Sequence, residues 1–311
     1  MERIATTREL QARADAERAA GRRIALVPTM GALHAGHRSL VETARAHADL
    51  VWVSIFVNPA QFNESADFEG YPAELDADLE ACEADGVDLV FLPKREELYP
   101  EGFQTWVEVE DLTQPLCGAS RPGHFRGVTT VVSKLFLAAK PHVAVFGEKD
   151  YQQLAAVRRM ARDLGFDVEV IGSPTLREAD GLALSSRNVH LGPEARRQAV
   201  VLARALEAAE HALAAGERDA AALLAAAQIE LAKAPGAEVE YCELRCPETL
   251  ATLAGPLCAP ALLALAVHFP ADPDGRGARV RLIDNRLLDP REARVRGGDR
   301  APIAISLEER P

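Results

Sequence analysis

Several things are scarce or missing in this chain of 311 residues, and each absence excludes a class. No apolar run approaches the roughly 20 residues that a membrane-spanning helix needs, and the longest candidate, residues 259–269, is far too short. Residues 1–20 include Glu2, Arg3, Arg8 and Glu9 and have no apolar core, so no secretory leader is expected. Cysteine is limited to five, at Cys82, Cys117, Cys242, Cys246 and Cys258. An odd, scattered set predicts reduced thiols in a cytoplasmic protein rather than a disulfide framework. Cys242 and Cys246 form C-x3-C with no histidine nearby, which argues against zinc. A basic excess is missing as well. The net charge of −12 disfavours a nucleic-acid surface while leaving room for a local positive pocket. The chain has neither G-x-x-x-x-G-K-[ST] nor G-x-G-x-x-G at its glycine-bearing first loop, so the two common phosphate loops do not apply there. What is there, 48% hydrophobic and 26% charged residues, is the composition of a globular protein, long enough for one large or two ordinary domains.

The rest of the chain is organised around residues 24–40, I-A-L-V-P-T-M-G-A-L-H-A-G-H-R-S-L. The apolar run 24–27 reads as a buried parallel strand, with Pro28 ending it. Gly31 and Gly36 give the backbone freedom to turn and to approach a ligand. A helical pattern follows from His37. A helix start carries unpaired N–H groups and partial positive charge, which suit phosphate. His34 and His37, three apart, share a face there, where each ring can donate to phosphate oxygen and a protonated ring adds charge.

Further along, strand and helix patterns alternate: a helix from Thr7, strands at 50–57, 87–92, 142–146 and 166–171, and helices at 75–84, 128–139 and 150–164. A short strand is expected at 106–109, within an otherwise irregular stretch, and a polar loop at 64–71. Residues 121–127, R-P-G-H-F-R-G, are basic and glycine-containing. Alternation of this kind predicts a parallel sheet with helices on both faces. After residue 173 the pattern changes to two alanine-rich helices, 193–215 and 218–234, and three strands, 239–244, 261–269 and 278–284. Their lack of long intervening helices predicts a small antiparallel sheet. The charged stretch 290–311 is expected to be a loosely attached tail.

P-T-M-G-A-L-H-A-G-H resembles the H-x-G-H signature of the nucleotidyltransferase superfamily related to class I aminoacyl-tRNA synthetases. With F-V-N-P-A-Q-F (from Phe56), G-E-K-D-Y-Q-Q-L (from Gly147) and R-E-A-D-G-L-A-L-S-S-R-N (from Arg177), it is similar to the pantothenate synthetase (pantoate–β-alanine ligase) family. The four motifs occur in order over about residues 1–288. The resemblance implies an α/β fold, with a Rossmann-like parallel-sheet domain over residues 1–174 and a smaller α+β lid over 175–289. It also implies a C–N bond-forming ligase that condenses (R)-pantoate with β-alanine through a pantoyl adenylate, consuming ATP with Mg²⁺ and releasing AMP and pyrophosphate. A homodimer is the implied assembly, with no nucleic-acid or membrane partner.

Carried over residue by residue, the resemblance puts His34, His37, Lys149, Ser185, Ser186 and Arg187 in catalysis. ATP would be lined by Met30, Gly31, Ala32, Leu33, Ala35 and Gly36 with the two histidines. Gly147, Glu148, Lys149 and Asp150 would join them, with Asp150 as a ribose or helix-start contact, followed by Leu176, Leu184 and the S-S-R segment. Asn58, Gln61 and Gln153 would bind pantoate, with Met30 close by. Mg²⁺ would be held mostly by phosphate oxygens and water, with help from a carboxylate of Asp76 or Asp78, of which Asp78 is the candidate metal contact; both sit on an acidic helix where a solvated face is at least as good a reading. Leu184 stands where the family usually has methionine, a swap that keeps volume and polarity. Two other readings are an adenylyltransferase for a phosphate-bearing acceptor, which would call for more basic residues than Asn58 and Gln61, and a non-catalytic nucleotide-binding module, which would not need Lys149 or S-S-R-N.

Overall fold

A computed structural model describes residues 1–62 and 74–291. The expected polar loop at 64–71 and nearly all of the tail, from residue 292, lie outside the described residues.

Six parallel strands form the first sheet: β1 (Glu2–Ile4), β2 (Ile24–Thr29), β3 (Leu50–Ile55), β4 (Leu89–Phe91), β5 (Val143–Gly147) and β6 (Glu169–Ser173), in the order β1-β4-β3-β2-β5-β6. Alternation along β2 explains the two-sided burial. Ile24 and Leu26 pack with α1 (Thr7–Ala19), α4 (His124–Ala139) and α5 (Tyr151–Asp163), whereas Ala25 and Val27 pack with α2 (Ala35–Arg45) and α3 (Leu75–Ala84). The chain builds β3 and β4 on one side of β2 and then returns to place β5 on the other. The crevice between the C-terminal ends of β2 and β5 is therefore the switch point where ligands bind in open α/β sheets.

The structure departs from the sequence reading in several local details. The edge strand β1, only three residues long, has too short a pattern to read from sequence. Pro28 does not end β2, which runs to Thr29 in register with Ile55. The Thr29 carbonyl accepts from Phe56 N on the β3 side, so Pro28 faces β5, where pairing has already stopped at Leu26. Its missing N–H leaves no bond unmade. The short strand expected at 106–109 is absent from the described structure.

The second half carries α6 (Pro193–Ala199), α7 (Val201–Ala214) and α8 (Ala220–Leu231), then an antiparallel sheet of β7 (Glu238–Arg245), β8 (Ala261–Phe269) and β9 (Val280–Leu288) with β8 central. The first expected helix is thus two, interrupted at Val200, where consecutive β-branched residues are weak helix formers. Strand β8 is apolar on both faces for a reason. Leu263, Leu265, Val267 and Phe269 cover α7 and α8, while Leu262 and Ala264 pack against Ala155, Ala156 and Phe125 of the first half. That second contact seats the small sheet beside the switch point.

Candidate active site

Helix α2 begins at the end of β2, and its cap is made by the two histidines. His34 is the N-cap, with its Nδ1 accepting from Gly36 N at 3.0 Å; His37 Nδ1 accepts from His34 N at 3.3 Å. Each ring therefore keeps its proton on Nε2, the nitrogen left to donate outward. Burial, then the positive charge of Lys149, lowers the His34 pKa. Burial, followed by His34, lowers His37 to about 4. Of the two states open in the sequence reading, a donating ring and a protonated ring that adds charge, the structure favours the neutral N–H donor of fixed tautomer.

The loop ahead of these histidines is pinned from behind by Asp78 on α3. Its Oδ2 accepts from Ala32 N at 2.9 Å and its Oδ1 from Leu33 N at 2.7 Å. Gly31 has φ +85°, and a Cβ there would lie 2.7 Å from Asp78 Oδ2, so only glycine fits over the carboxylate. The metal role expected for Asp78 is corrected by this geometry. The carboxylate is 4% exposed and both oxygens are engaged by backbone N–H groups.

At the end of β3, Asn58 is 1% exposed and its amide is fully used. Nδ2 donates to Gln61 Oε1 and Gly127 O, both at 3.1 Å, and Oδ1 accepts from Tyr99 Oη at 2.9 Å and Ala60 N at 3.3 Å. No donor or acceptor is left for a ligand, so Asn58 holds the N-P-A-Q turn instead of touching substrate. Gly127 permits this approach, because a Cβ there would sit 2.3 Å from Ala60 O. Gln61 is oriented by the same turn, with Nε2 2.9 Å from Met30 Sδ. Gln153, on α5, is half-buried, and its amide has no partner among the described residues.

Gly147 ends β5, and Glu148–Asp150 form a single 3₁₀ turn. The Lys149 ammonium has no hydrogen-bond or ion-pair partner among the described residues, yet its charge acts on both histidines. Asp150 stands at the N-cap of α5 without a side-chain cap bond, contrary to the helix-start role, and its exposed carboxylate has no hydrogen-bond partner among the described residues. From the second half comes a tight hairpin in which Leu184 N donates to Leu176 O and Glu178 N to Leu182 O. Ser185 then caps a 3₁₀ helix through Arg187 N, and Ser186 and Arg187 open it. The exposed Arg187 guanidinium, without a partner among the described residues, lies near enough to act on Arg121 and His124.

Arg121 and His124 were visible in sequence only as part of a basic, glycine-containing stretch. His124 Nδ1 donates to Gln61 O at 2.8 Å, which leaves Nε2 to accept from Arg121 Nη1 at 3.3 Å; Arg121 Nη2 also reaches Gln61 O at 3.3 Å. Burial, then the Arg121 charge, lowers His124 to about 4. Arg121 itself is drawn down by burial and by Arg187, and no carboxylate pairs with it among the described residues. The crevice thus collects neutral amides on one side, neutral imidazole donors at a helix start on the other, and three cationic side chains. That set can align an anionic carboxylate against a polyphosphate and neutralise charge as it moves.

Known proteins resemble this chain over nearly its whole length. The family model described as pantoate-beta-alanine ligase matches residues 2–287. A pantothenate synthetase of Geobacter sulfurreducens is 49% identical over 285 residues, 92% of this chain and 98% of that protein. One from Syntrophobacter fumaroxidans is 51% identical over 288 residues, with the same two shares. Among solved structures, pantothenate synthetase from Thermus thermophilus has a TM-score of 0.84 at 48% identity, covering 92% of this chain and 99% of that one. Pantoate-beta-alanine ligase from Francisella tularensis, solved with beta-gamma ATP and beta-alanine, has a TM-score of 0.71 at 32% identity, covering 92% and 97%.

Proposed function

The chain belongs to the pantoate–β-alanine ligase family and is a ligase of that class, and from that premise we propose that its crevice makes pantothenate through a pantoyl adenylate. A carboxylate oxygen of (R)-pantoate attacks the α-phosphorus of ATP, the bond to the β-phosphate bridging oxygen breaks, and pyrophosphate leaves. The amine of β-alanine then attacks the acyl carbon, a proton is lost from nitrogen, and AMP leaves. The observation that carries this reading is the conjunction at one switch point of the His34–His37 helix start and Lys149, whose ammonium has no partner among the described residues, with the Gln61 amide held against Met30 beside them.

Each group has a task that its surroundings suit. The Nε2–H groups of His34 and His37, with the start of α2, receive the β- and γ-phosphates. Met30 to Gly36 form the wall beneath the nucleotide, and Gly147, Glu148, Asp150, Leu176 and Leu184 line its nucleoside end. Lys149 meets the charge that builds on the α-phosphate, while Ser185, Ser186 and Arg187 hold the departing pyrophosphate. Gln61 and Gln153 bind pantoate without an ion pair that would blunt its nucleophilic carboxylate. Arg121 anchors the β-alanine carboxylate, since among the described residues only neutral partners, Gln61 O and His124, hold its guanidinium.

Among the described residues no three His, Cys, Asp or Glu side chains converge to hold an ion. With Asp78 engaged by backbone, Mg²⁺ enters as part of the MgATP substrate, held by phosphate oxygens and water. The functional division is a nucleotide- and pantoate-binding domain over residues 1–174 and a lid over 175–289, in a cytoplasmic homodimer. The location reading is supported by the odd, scattered cysteines, all free in the structure, and no described helix is long and apolar enough to cross a membrane.

Isotope exchange between pyrophosphate and ATP tests the core of this reading. Exchange that requires pantoate and proceeds without β-alanine is expected. Pantothenate formation without any such exchange would overturn the adenylate.

A further inference from the structure

Asp284 and Asn285 are consecutive residues of β9, and their side chains reach two different loops of the site. The Asn285 carboxamide nitrogen donates to both Glu148 O and Lys149 O, each at 2.9 Å. The Asp284 carboxylate, 2% exposed, binds Arg177 through both oxygens, at 2.7 and 2.9 Å. Arg177 Nη1 also donates to Gly181 O at 3.0 Å across the hairpin that leads into Ser185. Asn285 N donates to Asp284 Oδ1 at 2.8 Å, which ties the two side chains to one backbone register.

We propose that this pair acts as a spacer that sets the distance between the lysine turn and the pyrophosphate loop, with Asn285 a positioning residue for adenylate formation. The inference rests on the roles given above to Lys149 and to Ser185–Arg187. Nothing among the described residues holds the Lys149 side chain, so its place is inherited from the turn beneath it. That turn is one 3₁₀ unit of three residues, and two of its carbonyls are fastened by a single amide from the other half of the molecule. The hairpin is fastened one residue earlier on the same strand. Adenylate formation needs the α-phosphate at the lysine and the β- and γ-phosphates at their own donors at the same moment, so a fixed spacing acts on the reacting step. Pantoate contacts Gln61 and Gln153, which the spacer does not touch, so its binding is left alone. Asn suits the position because one NH₂ group carries two diverging donors, whereas aspartate has the same shape and no donor.

The test compares N285A and N285D with the unaltered enzyme and K149A in pantoate-dependent pyrophosphate–ATP exchange, with thermal unfolding as the control for folding. Both Asn285 variants are expected to remain folded and to lose about 10- to 100-fold in exchange kcat, with KM for pantoate within about twofold, as a misplacement near 1 Å produces. N285D should fall as far as N285A, because loss of donation, not of volume, is the cause. Unaltered exchange in N285D would overturn the proposal, as would a KM for pantoate that rises in step with the loss of kcat. If N285A does not fold, N285D alone decides between these results. Full exchange in K149A would instead overturn the role assigned to the lysine, which keeps the two failures distinct.

Discussion

His34 and His37 cap one helix in opposite senses: His34 Nδ1 takes the N–H of Gly36, and His37 Nδ1 takes the N–H of His34. The capping interaction and the tautomer are therefore the same fact. A ring whose Nδ1 accepts a backbone bond must carry its neutral proton on Nε2, the nitrogen that the cap leaves unused.

Replacing His37 by alanine should therefore separate two effects. Losing one preorganised donor to the transition state should lower pantoate-dependent exchange by about 10²- to 10³-fold. Losing one arm of the cap should cost about 1 kcal/mol of stability. Near-normal exchange in a folded H37A protein would remove the ring from the mechanism.

Stability should fall in mild acid. His37 and His124 titrate near 4 in the folded protein, below the ordinary 6.5. As the pH drops below about 6.5 the unfolded chain binds protons that the folded chain refuses, so stability is full above 6.5, declines toward 4 and levels off below. Each ring contributes on the order of 3 kcal/mol across that window. Melting curves from pH 7 to pH 4 check the direction, and a histidine NMR titration giving midpoints near 6.5 for both rings would contradict it.

Asp78→Asn should loosen the loop without changing the response to magnesium. The variant keeps an acceptor for one of Ala32 N and Leu33 N and presents a donor to the other, for a cost of about 2 kcal/mol. KM for ATP should rise, while the Mg²⁺ concentration that gives half-maximal activity at saturating ATP stays where it was. A large shift in that concentration would restore a metal-ligand role.

Arg121→Ala should act on the second half-reaction. KM for β-alanine is expected to rise about tenfold or more, as loss of a charge-assisted carboxylate contact implies. Pyrophosphate exchange in the absence of β-alanine should stay within a few-fold. Steady-state kinetics with each substrate varied in turn tell whether the loss falls on β-alanine or on pantoate.

Sequence alone determined the strand-loop-helix at residues 24–40, the alternation that makes a parallel sheet, and the three strands of the small sheet. Those features depend on apolar periodicity and on glycine and proline, which act over a few residues. It also determined the chemical types at the site, because four short motifs carry them. Tertiary structure decided what each polar group is free to do. Asn58 and Asp78 have the right chemistry for ligands, but burial and four close partners for the one, and two backbone donors for the other, turn them inward. Asn285 has no motif of its own and gains meaning from a contact 136 residues away. Pairing across such separations depends on how the two halves pack, through Leu262 and Ala264 against α5, and no local pattern in the chain encodes it.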